Sequence, residues 1–131
     1  GGGVIFFLSE DGMHGLIAQV NDIKQKVKNT NSFEIDKLIT DPRVNGAYET
    51  GFFDWRLPTF SEVEILLMAN IPELNLAGKD YYCSLSVYIT VTSGKSLTPI
   101  DRYYCIPVQN NKIMPYKYGA FEGNIRLIRE F

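Results

Sequence analysis

The sequence predicts an α+β domain, built from mixed and mostly antiparallel sheets with two flanking helices. Apolar, strand-like runs stand near both ends of the chain, at residues 4–8 and 124–129. Between them, Thr59 begins a helix with the pattern of a capping box, and residues 84–92 alternate between apolar and polar side chains. Strands that enclose helices are typical of this class. Because the first and last strands are both strongly apolar and lie at opposite ends of a single-domain chain, we expect them to pair. The length fits one domain over residues 1–131.

The N-terminal part predicts a β-hairpin. The apolar run of residues 4–8 indicates a buried strand. It ends in a turn, because the pair Asp11 and Gly12 favours a positive φ. Residues 14–18 then form the second strand of the hairpin.

Two helices are expected in the middle of the chain. Asp41 and Pro42 are a helix-start signal for residues 43–50, and Gly51 ends that helix. The second helix begins at Thr59, and the segment from Asn70 to Pro72 stops it. Its apolar positions recur at helical spacing, which predicts burial against a core; they are Val63, Leu66 and Leu67.

The remaining strands lie in the C-terminal half. Residues 84–92 have a clean period of two, and residues 103–108 form a further strand. Asn110 and Asn111 make a turn after it. The last strand covers residues 124–129.

Composition narrows the function classes. Hydrophobic residues make up 45% and charged residues 21% of the chain, which is typical of a globular domain. The net charge of −2 argues against nucleic-acid binding, because such proteins need a strongly basic surface. No apolar run approaches the ~20 residues of a membrane-spanning helix, so we expect no membrane insertion.

Cys83 and Cys105 are the two cysteines, 22 positions apart, and both fall in predicted strands. Three interpretations stay open for them: two buried free thiols, a cross-strand disulfide, or a reactive thiol. With a single histidine in the chain, His14, they do not complete a usual zinc site. His14 itself is expected to be structural, because no catalytic companion stands at motif spacing.

Four motifs, in order, resemble a bacterial domain family. The opening strand GGVIFF is followed by HGL at residues 14–16, and FDWRLPT stands at residues 53–59. YCS at residues 82–84 is similar to the family's YWSS strand, with Cys83 as a departure, and NIRLIR closes the chain. The family is that of the Lcl-type, collagen-like adhesin C-terminal domains, whose wider kin are C-type lectin-like folds.

The resemblance implies a C-type lectin-like fold that binds a ligand without catalysis. It implies an extracellular setting, on a bacterial cell surface or a virion, and a glycan or other host or cell-surface ligand as partner. Whether the domain forms a homo-oligomer stays open. The main alternative is a structural or assembly domain of a phage tail fibre or surface filament. A formylglycine-generating-type cysteine enzyme is the third hypothesis.

The DWRLP motif is interpreted as structural. A lone Trp before a helix supplies apolar area to a core, and the Pro and Thr that follow set the helix entry. The motif consists of Asp54, Trp55, Arg56, Leu57, Pro58, Thr59 and Glu62.

Ligand binding is expected on a surface of the C-terminal half. Residues 81–131 carry six basic and three acidic side chains, whereas residues 1–80 carry seven and twelve. Tyrosine, amide and cationic side chains suit a sugar, because rings stack on C–H faces while amides meet hydroxyls. The expected ligand-binding residues are Tyr88, Arg102, Asn110, Asn111, Tyr116, Lys117 and Tyr118. We expect no cofactor. Calcium is not expected, because the EPN or QPD and WND triplets, whose side-chain oxygens bind calcium in calcium-dependent lectins, do not occur in the sequence.

Overall fold

A three-stranded antiparallel sheet organises the fold. The computed structural model describes residues 2–28, 32–76, 81–85, 103–109, 112–114 and 122–131. In this sheet, β2 (Gly15–Gln19) lies between β1 (Gly3–Leu8) and the C-terminal strand β8 (Ile128–Glu130). The β1–β2 hairpin confirms the predicted hairpin, and its ladder shifts register between Ile5 and Phe7. The expected burial of the first strand is wrong, because Phe6 is its one buried side chain whereas Ile5, Phe7 and Leu8 are exposed.

The turn of this hairpin uses the Asp-Gly pair as expected. Gly12 has a positive φ of 70°. The Asp11 carboxylate accepts hydrogen bonds from the Ser9 hydroxyl at 2.5 Å and from the Met13 N–H at 2.9 Å. Both hydrogen bonds, and chiefly the one from the Ser9 hydroxyl, hold the pKa of Asp11 below its ordinary value. The side chain thus stabilises the turn locally, as Asp does in such positions.

The predicted pairing of the first and last strands is wrong. β8 pairs with β2, in the register Leu16↔Glu130 and Ala18↔Ile128, and belongs to the same sheet as β1 without being its neighbour. The tight turn places β1 along one edge of β2. The opposite edge of β2 is therefore the edge that is available to β8. The strand itself is also shorter than the predicted residues 124–129.

The C-terminal strand has backbone partners on both of its sides. On the side of β8 that faces away from β2, the Arg56 N–H donates to the Ile128 carbonyl at 2.8 Å. The Ile128 N–H donates to the Arg56 carbonyl at 2.9 Å. Beyond the ladder, Gly15 and Phe131 exchange two backbone hydrogen bonds of 3.1 Å. β8 is therefore an interior strand.

Three helices are present in the described residues where the sequence predicted two. They are α1 (Ser32–Thr40), α2 (Ala47–Thr50) and α3 (Phe60–Ala69), and a 3-10 helix follows at Pro72–Leu74. The sequence missed α1 because its helical pattern is weak; burial of Ile35 fixes it in the core.

Helix α2 is shorter than the predicted residues 43–50. Gly46 has a left-handed backbone with φ of 85°, which interrupts a helix that would start at Pro42. The expected end is confirmed, because Gly51 adopts φ of 77° at the C-cap.

Helix α3 confirms the capping box. The Thr59 side chain accepts from the Glu62 N–H at 3.2 Å, and the Glu62 carboxylate accepts from the Thr59 N–H at 2.9 Å. Asn70, with φ of 48°, ends the helix in the left-handed conformation.

Two smaller sheets complete the described structure. β3 (Val27–Lys28) pairs with β7 (Glu122–Gly123), and β4 (Tyr81–Leu85), β5 (Tyr103–Gln109) and β6 (Lys112–Ile113) form a three-stranded antiparallel sheet. β5 confirms the strand expected at residues 103–108. The predicted strand of residues 84–92 is seen for residues 84 and 85, and its other residues lie outside the described ranges, as does the Asn110–Asn111 turn.

Two clusters of buried apolar side chains meet along the C-terminal segment. The first joins the main sheet to α3 and β5, and the second joins α1 to the DWRLP motif. The first contains Phe6, Leu16, Ala18, Val63, Leu66, Leu67, Leu74, Leu76, Ile106, Val108 and Ile128. The second contains Val27, Ile35, Trp55, Leu57, Ile125 and Leu127. Because the segment contributes to both clusters, its packing connects the two parts of the core.

Deletion of residues 124–131 is expected to abolish cooperative unfolding. The deletion removes an interior strand and the buried side chains Ile125, Leu127 and Ile128. Thermal unfolding followed by circular dichroism measures this, and deletion of Phe131 alone is the matched control that should retain the transition. A melting curve of the longer deletion that matches the full chain would contradict the central place of this strand.

Candidate functional site

The structure describes only one of the two groups of residues that the sequence singled out. The seven expected ligand-binding residues lie outside the described ranges: Tyr88, Arg102, Asn110, Asn111, Tyr116, Lys117 and Tyr118. The residues of the DWRLP motif are described in full.

Arg56 is the centre of the motif. Its guanidinium binds both carboxylate oxygens of Glu62, at 2.7 and 2.8 Å, and reaches Glu130 of β8 at 2.6 Å. It also donates to the Leu57 carbonyl at 3.1 Å. Such a two-bond pair between arginine and a carboxylate fixes geometry as well as charge. Arg56 therefore connects α3 to the C-terminal strand.

The charges of this group stabilise one another. Burial of the Glu62 carboxyl opposes its ionisation, but hydrogen bonds from Arg56 and from the Thr59 N–H outweigh burial, and the pKa of Glu62 lies below its ordinary value. The same contact, chiefly the hydrogen bond to Glu62, raises the pKa of Arg56. Both groups are thus charged in the neutral pH range.

Arg129 of β8 is a second arginine that connects the motif to this strand. Arg129 binds Asp54 at 2.8 Å, and its guanidinium lies 3.8 Å from the centre of the Phe52 ring. The hydrogen bond from Arg129 lowers the pKa of Asp54. Trp55 is buried, and its indole N–H donates to the Thr50 hydroxyl at 3.0 Å. These contacts supply packing and charge pairing at the joint, which supports the structural interpretation of the motif.

A surface cleft of about 570 Å³ is lined in part by Thr50, the residue that accepts the hydrogen bond from Trp55. It is formed by the segment after β2, by the end of α1, by the turn that leads into α2 and by the first described residues. Its lining combines amides, charged side chains and apolar groups. The lining residues are Gly2, Gln19, Val20, Asn21, Asp22, Ile23, Lys24, Gln25, Leu38, Arg43, Val44, Gly46, Glu49 and Thr50.

The wall of the cleft is held by hydrogen bonds to the backbone. The Gln19 amide donates to the Asn45 carbonyl at 2.6 Å, and the Asn45 amide donates to the Ile39 carbonyl at 2.9 Å. Gly46 has no side chain at this point of close approach, where an added Cβ would lie 2.6 Å from Gln19 Nε2. The contacts join β2, α1 and α2 into one wall.

A buried arginine supports the same wall from the core. Arg126 is 2% exposed and binds the Asp22 carboxylate at 2.7 Å. It also donates to the Gln19 carbonyl at 3.1 Å and to the Leu74 carbonyl at 2.7 Å. Gln19 and Asp22 both line the cleft. The contacts of Arg126 with the Gln19 carbonyl and the Asp22 carboxylate therefore hold this part of the cleft wall in place.

The rim of the cleft carries groups of both signs. Arg43 is exposed and binds Asp41 at 3.0 Å, and this hydrogen bond lowers the pKa of Asp41. Lys24 and Glu49 are also exposed. Amides, two cations and a carboxylate around a pocket of this volume suit a small polar ligand, since ligand pockets typically enclose about 300–1,000 Å³.

The sequence carries no motif that predicts this cleft. Its lining comes from residues 19–25 and from residues 43–50, which are separated along the chain and carry no motif. The one local signal is a run of amide and charged side chains, Asn21, Asp22, Lys24 and Gln25, directly after a strand. The tertiary pairing of β2 with the C-terminal segment is what brings that run against α2.

Metal and membrane features give no further site in the described residues. His, Cys, Asp and Glu side chains in those ranges do not gather in groups of three or more that could hold a metal ion. None of the helices in the described part of the chain has both the length and the apolarity to cross a bilayer.

Comparison with known proteins assigns no family. No protein-family model matches the chain, and no curated protein is significantly similar to it. The resemblance to the Lcl-type domains therefore rests on the sequence motifs alone.

Replacement of Trp55 by Ala is expected to lower the free energy of unfolding by about 3–5 kcal/mol, the usual cost of truncating a large aromatic side chain in a core. The matched control is Phe53→Ala, because Phe53 is 71% exposed; it should change stability by less than about 0.5 kcal/mol. Urea denaturation followed by circular dichroism compares the two. Equal stability of the Trp55 variant and the parent chain would refute the structural role.

The Glu62–Arg56 pair predicts a loss of stability in acid. Because the pKa of Glu62 is lower in the folded protein than its ordinary value of 4.5, its contribution is fully present above pH 4.5 and is lost as the pH falls through the lowered pKa. Glu62→Gln keeps an acceptor for the capping box but removes the charge. It should reduce the free energy of unfolding by about 1–3 kcal/mol at pH 7.

Stability measured against pH tests this expectation. The difference between the parent chain and Glu62→Gln should shrink below pH 4.5. Glu64→Gln is the control, because Glu64 is exposed on the same helix. A difference that stays constant from pH 7 to pH 3 would show that the Glu62 charge does not stabilise the fold.

Proposed function

We propose that this chain is a non-enzymatic ligand-binding domain with a C-type lectin-like fold, related to the Lcl-type adhesin domains. The observation that carries the proposal is the cleft lined by Asn21, Lys24, Arg43 and Glu49. Amides and paired charges of both signs are able to donate to and accept from hydroxyl groups. A hydroxyl-rich glycan is the ligand class that this lining fits best.

The first and last strands do not pair, as the resemblance implies they should, and support for the proposed fold comes instead from the sheet that both strands share. The opening strand β1, its hairpin partner β2 and the closing strand β8 share one sheet, and α3 packs against that sheet. The DWRLP motif and the closing motif are joined through Arg56 and Arg129. Three of the four motifs that carry the family resemblance, the opening, DWRLP and closing motifs, are therefore joined in one structural unit.

We propose two contact surfaces for the ligand. One is the cleft, and the other is the expected surface of the C-terminal half, which contains Tyr116, Lys117 and Tyr118. Tyrosine rings supply the stacking faces that the cleft lining lacks, and the cleft supplies amides and charges. The proposed setting is the surface of a bacterium or a virion, where such a domain acts as an adhesive module.

An assembly domain of a phage tail or surface filament is the second candidate. Tyr48 and Phe53 favour it, because both rings are largely exposed and contact each other edge to face at 6.3 Å. An exposed aromatic pair is suited to burial against another copy of the chain. Sedimentation velocity distinguishes this candidate: an oligomer that Phe53→Ser dissociates supports it, and a monomer contradicts it.

Glycan binding is tested with the full chain on a glycan array, followed by titration calorimetry with a bound glycan. The paired substitution Asn21→Ala and Lys24→Ala should weaken binding about 10–100-fold, because each removes a polar contact. The pair Tyr116→Ala and Tyr118→Ala should weaken it to a similar extent. Both pairs are expected to leave the melting temperature nearly unchanged.

Lys37→Ala is the matched control, since Lys37 is exposed on α1 and is not part of the cleft lining. It should leave affinity unchanged. Failure of the full chain to bind any glycan, or binding that neither pair of substitutions weakens, would overturn the proposal. Unfolding of the tyrosine variants would show that those side chains belong to the core.

A further inference from the structure

Cys83 and Cys105 face each other across two antiparallel strands. The register of β4 and β5 pairs Tyr82 with Ile106, Cys83 with Cys105 and Ser84 with Tyr104. Residues that are directly opposite in such a ladder carry their Cβ atoms on the same face of the sheet. The two cysteines are therefore matched in register, although 22 positions separate them in the sequence.

The neighbouring Pro107 defines which kind of pair they form. The Met114 N–H donates to the Pro107 carbonyl at 2.9 Å, so this carbonyl is directed to the β6 side of β5, away from β4. Along a strand, backbone groups alternate sides from one residue to the next. Cys105, two residues before Pro107, therefore also directs its N–H and carbonyl away from β4. Cys83 and Cys105 are a non-hydrogen-bonded pair.

This kind of pair has the spacing that a disulfide needs. In non-hydrogen-bonded pairs the Cα atoms are about 4.5 Å apart and the side chains are closer than in hydrogen-bonded pairs. Disulfides span Cα separations of about 4.4–6.8 Å and Cβ separations of about 3.5–4.5 Å. The backbone register thus meets the requirement without a change of strand pairing.

We propose that Cys83 and Cys105 form an intrachain disulfide that staples β4 to β5. The oxidant is a small-molecule or protein disulfide. One cysteine thiolate attacks it, releases one thiol and leaves a mixed disulfide, and the second cysteine then displaces the other thiol. The two cysteines lose two protons and two electrons, and the oxidant gains them.

The bond closes the chain around residues 86–102. This segment begins and ends next to the paired strands, so that the bond fixes the separation of its two ends. On the proposed function, this segment contains Tyr88 and Arg102, two of the expected ligand-binding residues. The disulfide itself rests on the strand register and does not depend on that function.

The test uses the full chain equilibrated in a glutathione redox buffer. Oxidation should lower the intact mass by two hydrogen atoms, leave no alkylatable thiol in the denatured chain, and link the peptides that contain Cys83 and Cys105 in a non-reduced digest. Dithiothreitol should then lower the melting temperature by about 5–15 °C. The double variant Cys83→Ser and Cys105→Ser should not respond to dithiothreitol.

A control moves one thiol by a single position. In the double variant Cys83→Ser and Ser84→Cys, the new thiol stands on the opposite face of β4 from Cys105, because side chains alternate along a strand. It should retain two alkylatable thiols under the same conditions. Two free thiols in the folded parent chain, a disulfide-linked dimer, or equal oxidation of the control would each overturn the proposal.

Discussion

The buried charge of Arg126 constrains the path of the chain. A charged side chain is tolerated in a core only when its charge and its N–H groups are paired. Arg126 meets this condition through the Asp22 carboxylate and the carbonyls of Gln19 and Leu74. These partners come from two separate parts of the chain, residues 19–22 and the 3-10 helix that contains Leu74, so the arginine is satisfied only when both parts are in place.

The rest of the C-terminal segment follows from that position. Ile125 and Leu127, on either side of Arg126, enter the second core cluster, and Ile128 enters the first. Further on, Arg129 reaches Asp54 and Glu130 reaches Arg56. One short stretch of sequence thus alternates between apolar burial and charge pairing. This alternation makes the last strand an interior element that holds the hairpin, the DWRLP motif and α3 together.

The same constraint connects the core to the proposed ligand cleft. Gln19 and Asp22 contact Arg126 through a carbonyl and a carboxylate, and both residues line the cleft. Gln19 also holds Asn45 through its side-chain amide. A ligand in the proposed site would therefore meet a backbone that is fixed from the core, while the exposed end of Lys24 is able to adjust. Such a division, with a fixed floor and adaptable polar ends, is suited to hydroxyl-rich ligands.

The sequence by itself determined the features that depend on neighbouring residues. The Asp11–Gly12 turn, the capping box of Thr59 and Glu62, and the end of α2 at Gly51 are local, because each is set by hydrogen bonds or backbone conformation within a few residues. Only the tertiary structure decided that β8 pairs with β2, that Cys83 faces Cys105, and that the cleft exists. These depend on strand order and register between distant segments, which a periodic pattern does not encode: an apolar strand fits several neighbours, and the buried partners of Arg126 select among them.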